Sequence, residues 1–95
     1  MMSIFIMFGK YSPEAIQKIS KERTLKVLEI VKKQGGEVKS MYALMGAYDL
    51  IMVANFETMK EALRASVAIT RATGISFSTL PAMPVEEFDA LVDKN

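Results

Sequence analysis

The sequence predicts an α+β, ferredoxin-like fold in which a four-stranded antiparallel sheet carries two long helices on one face. Three observations support this. Strand-length apolar runs and amphipathic helical stretches follow one another in the order βαββαβ, with a short C-terminal helix after them. Only Gly46-Ala47-Tyr48-Asp49 interrupts the alternating pattern between the two middle strands, so these pair through a tight turn. The chain has 95 residues, 51% of them hydrophobic, which is enough for one core and more apolar surface than one small body hides. One domain over residues 1–95 and self-association through the second sheet face are therefore expected, in the manner of a dimeric α/β-barrel.

Ser3 to Phe8 is a continuous apolar run closed by Gly9, as in a strand buried on both faces. Ser12, Pro13 and Glu14 then carry the start signal of a helix, with Tyr11 and Ile16 spaced as a hydrophobic staple. Ile16, Ile19, Leu25, Val27, Leu28, Ile30 and Val31 recur at helical spacing until Gly35-Gly36. One straight helix from Pro13 to Gln34 would outrun the sheet, at roughly 30 Å against about 20 Å, so a break is expected near Ser20-Lys21-Glu22. Glu37 to Met45 and Tyr48 to Phe56 alternate as strands, and Gly46 is assigned a positive φ in the turn that joins them. Thr58-Met59-Lys60-Glu61 fits a capping box for the second long helix, which Gly74 stops. Ile75 to Leu80 is a fourth strand ended by Pro81, and Pro84 opens a helix with Val85, Phe88, Leu91 and Val92 as its apolar stripe.

Composition removes several function classes. Twelve basic and eleven acidic residues give a net charge of +1, without the electropositive footprint of phosphate-backbone binding, so nucleic acid is not expected as a partner. The chain has no cysteine and no histidine, so thiolate chemistry, imidazole acid/base catalysis and thiolate or imidazole metal sites are absent. No cofactor and no metal are implied. The apolar opening has no basic segment before it, and no stretch approaches the ~20 apolar residues of a membrane span; the expectation is a cytoplasmic protein without a membrane partner.

At Met45 to Asp49 the chain resembles the GYD-domain family, whose name-giving glycine, tyrosine and aspartate correspond to Gly46, Tyr48 and Asp49. The likeness extends to the opening strand, Gly35-Gly36, Thr79-Leu80 and Glu86-Glu87-Phe88. Most members of that family have no assigned biochemical role. The same turn is similar to one in the effector-binding domains of Lrp/AsnC regulators, and this resemblance implies a dimeric module with small ligands near subunit contacts. The helix-turn-helix module of those regulators is not in this sequence.

The candidate ligand-binding residues are Tyr42, Gly46, Tyr48, Asp49 and Asn55. Turn chemistry and packing suffice to explain the glycine, the tyrosine and the aspartate, because such residues recur in turns for those reasons. As a ligand site, Asp49 would receive an amine or hydroxyl while Tyr48 and Tyr42 form a wall. Asn55 is either an orienting group between sheet and helices or between subunits, or a strand-end residue near solvent. Met7, Met41, Met45, Met52 and Met59 read as core filling and, secondarily, as an adaptable pocket lining. The basic stretch from Lys18 to Lys33 reads as a solvated face with Glu22–Lys26 and Glu29–Lys33 pairs. The expected function is a small-molecule-binding or assembly module that partners itself. The alternative is a cofactor-free enzyme of monooxygenase or isomerase type, acting on a small hydrophobic compound and resting on Asp49, Asn55, Tyr42 and Tyr48.

Overall fold

A computed structural model describes residues 2–93; the ends of the expected 1–95 domain lie outside the described residues. The elements are β1 (Ser3–Tyr11), α1 (Pro13–Gln17), α2 (Lys21–Lys33), β2 (Glu37–Ala43), β3 (Leu50–Phe56), α3 (Met59–Thr73), β4 (Ile75–Ala82) and α4 (Val85–Asp93). The strands form one antiparallel sheet in the order β2-β3-β1-β4. This is the ferredoxin-like arrangement read from the sequence.

The first helical segment breaks where the length mismatch requires. Ser12 caps α1 by accepting from the Ala15 N–H at 3.0 Å, and Ser20 restarts the helix by accepting from the Arg23 N–H at 3.1 Å. Of the expected stripe, Val27, Ile30 and Val31 enter the core, whereas Ile16 and Ile19 beside the break and Leu25 on the far face of α2 are exposed. The staple does not form a buried pair either: Ile16 is exposed, and the Tyr11 ring lies under the Arg23 guanidinium at 4.7 Å. Lys26 pairs with Glu29 at 3.4 Å, one turn ahead of it in the helix, and not with the expected Glu22 one turn behind.

Alternation along the strands sorts their side chains between two faces. Phe5, Met7, Leu50, Met52, Ala54 and Phe56 point to the helices, where they meet Val27, Val31, Ala62, Ala65 and Ile69. Phe5 and Phe56 pack edge to face, ring centres 5.9 Å apart. Met7 and Met52 belong to this core and Met41 packs against it, whereas Met59 is partly exposed and Met45 is fully exposed. The capping box of α3 is present: the Thr58 N–H donates to Glu61 Oε1 at 3.0 Å, and Thr58 Oγ1 also reaches that carboxylate. Ser66 fastens α3 to the sheet, donating to the Ala62 carbonyl at 2.9 Å and sharing a 2.7 Å hydrogen bond with Thr79.

Four boundaries differ from the sequence reading. β1 runs on through Gly9, whose missing side chain leaves room for Ile75, Phe77 and Leu50. β4 runs through Pro81, as an edge strand permits. β2 and β3 end earlier and begin later than expected, so residues 44–49 are a loop and not a two-strand continuation. The register of β2 against β3 slips between Val38 and Ser40, a bulge on the other edge strand. No helix among the described residues is long and apolar enough to cross a membrane.

Candidate functional site

The face turned away from α1, α2 and α3 is open across its middle. Its central rows are Tyr42–Ile51–Phe8–Ser78, Ser40–Val53–Ile6–Leu80 and Glu37–Asn55–Ile4–Ala82, read across the four strands. Ile4, Ile6, Phe8, Ile51 and Val53 are half-buried, Phe8 under the Tyr48 ring and Ile4 in a cleft shared with Val85 and Phe88 of α4, and Leu80 is exposed.

The 44–49 loop closes over one end of this face. Its Leu44 N–H donates to the Asp49 carbonyl at 2.8 Å, and the Asp49 N–H donates to the Gly9 carbonyl at 2.8 Å. Asp49 Oδ2 accepts from the Tyr11 N–H at 2.8 Å and lies 3.8 Å from Lys10 Nζ. The aspartate therefore fastens the loop to the end of β1, with a backbone amide and an ammonium as its partners. Tyr48, held by that anchor, lays its ring against Phe8 with centres 5.0 Å apart. Tyr42 reaches the same row opposite Ile51 and is 61% exposed.

Gly46 does not serve the role assigned to it. Its φ is not positive, and nothing lies within 4 Å of where a Cβ would stand. The glycines with positive φ are Gly35 and Gly74, at the ends of α2 and α3, and the glycine where an added Cβ would collide most closely with a side chain is Gly36, against Phe56. Asn55 lies on the outer face and not between sheet and helices. Its Oδ1 is buried without a hydrogen-bond partner, so it is not a strand-end residue turned to solvent.

The structure thus brings Tyr42, Tyr48 and Asp49 to one end of the outer face, leaves Gly46 in the open loop, and sets Asn55 further along the same face. Sequence reasoning missed Phe8, the floor under Tyr48, and Lys10, the second partner of Asp49. Both alternate with Ile4 and Ile6 along β1, so strand periodicity places them on that face. A separate open cleft of about 600 Å³ lies between the α1–α2 break and Gly74, lined in part by Ser12, Ala15, Lys18, Arg23 and Lys26. Its Arg23 is already engaged by the Tyr11 ring and the Ala15 carbonyl.

An α+β module of ferredoxin-like topology, with helices on one sheet face and an apolar, aromatic-rimmed second face, is the class of protein these features define. Within that class, the sequence model of the GYD domain matches residues 5–92, and the chain belongs to the GYD domain family. No curated protein matches it in sequence. Among solved structures it is similar to the leucine response regulatory protein LrpA of Mycobacterium tuberculosis, with a TM-score of 0.60 and 14% identity over 87% of this chain. At that identity the likeness is one of fold. This chain spans about half of the regulator, 51% of its length.

Proposed function

We propose that the chain works as a homodimeric small-molecule-binding module, a dimeric α/β-barrel in which two copies pack their outer sheet faces together. The ligand would lie at the subunit boundary beside Tyr42, Tyr48 and Asp49. The observation that carries this reading is the outer face itself, an apolar surface of Ile4, Ile6, Ile51 and Val53 left half-exposed between the Tyr48–Phe8 contact at one end and the α4 cleft at the other. Two sheets packed face to face at about 10 Å would bury it. The unpartnered Asn55 Oδ1 supports the same reading, because a buried acceptor gains most from a donor brought by a partner or ligand. At the aromatic end, Phe8, Tyr42 and Tyr48 suit a small, largely apolar molecule, with Lys10 and Asp49 beside them for one polar group. The matched regulator is named for its response to leucine, a molecule of that kind.

The test is sedimentation velocity at micromolar concentration, with thermal-shift screening of small amphiphiles, leucine included. Wild type should sediment as more than one chain, and Val53→Glu should lose the sheet-paired dimer and sediment as a smaller species while staying folded. Monomeric wild type would overturn the pairing. A ligand that shifts wild type and Tyr48→Ala equally would overturn the location of the site.

A further inference from the structure

We propose a second self-association surface, in which α4 of one copy docks on the exposed ridge of α3 of another. No residue of α4 is buried. The helix leaves β4 through Met83 and Pro84, and its Val85 and Phe88 line an open cleft with Ile4 and Ala82. Val85, Phe88, Leu91 and Val92 form one stripe along it, with Phe88 53% exposed. Acidic residues rim the stripe on both sides: Glu86, Asp89 and Asp93 on one, Glu87 on the other. No ion pair among the described residues engages these four carboxylates.

The complementary surface lies on the far side of the sheet. Met59, Leu63 and Val67 follow one another at four-residue spacing along α3, and Leu63 and Val67 are each 49% exposed. Between this ridge and β4 runs an apolar groove of about 440 Å³, floored by Leu63, Val67 and Phe77. Lys60, Arg64 and Arg71 stand in a row along the ridge's other flank, and none is in an ion pair with a described residue. The two stripes match in length, about 12 Å from Met59 to Val67 and about 10 Å from Val85 to Val92.

Charge selects the occupant. Residues 84–93 carry four acidic and no basic side chains, while residues 2–83 carry eleven basic and seven acidic ones. A second copy therefore supplies an acidic amphipathic helix to a basic-flanked apolar groove, and the near-neutral whole is the sum of two opposed halves. The contact is head-to-tail, so it extends the assembly beyond a sheet-paired dimer, closing into a ring or continuing. Its α3 half lies on the side of the sheet opposite the outer face, so sheet pairing leaves that half of the contact open.

Two full-length variants test it by native mass spectrometry and sedimentation velocity, with circular dichroism to verify folding. One carries Arg64→Glu and Arg71→Glu; the other carries Glu86→Lys, Asp89→Lys and Asp93→Lys. Wild type should form species larger than a dimer, each variant alone should stop at the dimer, and an equimolar mixture should regain the larger species. In a Val53→Glu background the same dependence should persist from the monomer upward, which separates this contact from the sheet pairing. Raising salt from about 0.1 M to about 1 M, where the screening length falls from about 10 Å to about 3 Å, should weaken the wild-type contact. Wild type that never exceeds a dimer, variants of unchanged size, or folded variants whose mixture fails to regain it would each overturn the proposal. Unchanged size would mean that α4 folds back on its own chain or takes another partner.

Discussion

Gly36→Ala is expected to be the most damaging single-methyl change in the chain. The turn from α2 to β2 passes directly over Phe56, and a Cβ on residue 36 would stand 2.4 and 2.6 Å from two ring carbons and 2.9 Å from the Asn55 carbonyl oxygen. The ring cannot swing away, since Phe56 is fully buried and edge-packed on Phe5. The carbonyl cannot shift without disturbing β3. Overpacking of this kind costs about 1–3 kcal/mol, and displacement of main chain puts this site at the upper end, about 3 kcal/mol. For a chain of this size, each 1 kcal/mol lowers Tm by roughly 4–8 °C, which gives an expected loss of about 10–20 °C. Gly46→Ala is the internal comparison: its Cβ meets nothing and its φ suits any residue, so stability should change by no more than about 0.5 kcal/mol. Thermal and urea unfolding by circular dichroism, at one fixed protein concentration, measure both. A Gly36→Ala protein within about 3 °C of wild type, or a Gly46→Ala protein that loses more, would refute the packing argument.

Asp49→Ala removes the acceptor of the part-buried Tyr11 N–H and should cost about 1–3 kcal/mol, with Asp49→Asn recovering part of it; a shifted urea midpoint at unchanged m is the readout. Hydrogen bonding from the Thr58 side chain, ahead of other causes, holds the Glu61 carboxyl below its ordinary value of 4.5. Its contribution is thus fully present above that value and lost as pH falls through the lowered one, so the stability gap between wild type and Glu61→Gln should narrow on acidification. A gap that widens below pH 4.5 would contradict this. Ser66→Ala should loosen α3 from β4 by about 1 kcal/mol, and native-state hydrogen exchange should show the loss first in the amides of β4.

Element order, the break near Ser20, the Thr58–Glu61 box and the unsheltered sheet face were all legible, because each depends on near neighbours in sequence or on a simple period. The role of a glycine was not. Gly46 stands in a turn motif, yet the need for glycine arises at Gly36, where Phe56 arrives from 20 positions later. Asp49 likewise finds its side-chain partner 38 residues away in β1, beyond what the residues of the turn itself can indicate. Ile16 and Ile19 fit a continuous helical stripe, but the break separates them from α2 and takes them out of the core, while Leu25 lies on the face of α2 opposite Val27, Ile30 and Val31. Tyr42, Tyr48 and Asp49 were found as a group by their spacing around the hairpin, whereas their floor, Phe8, comes from the other end of the motif's reach.

The slipped register at Val38–Ser40 bears on how such a chain avoids uncontrolled growth. β2 is an outer strand, and a flat outer strand offers a row of free amides and carbonyls to any stray chain. The extra residue bends that row, so an incoming strand can match it for only a few positions. Lys39 sits at the irregularity itself and adds a charge that a close-packed partner would have to desolvate. A crowded solution of these chains is thereby steered toward contacts of side chain on side chain, which are selective, and away from backbone ladders, which are not.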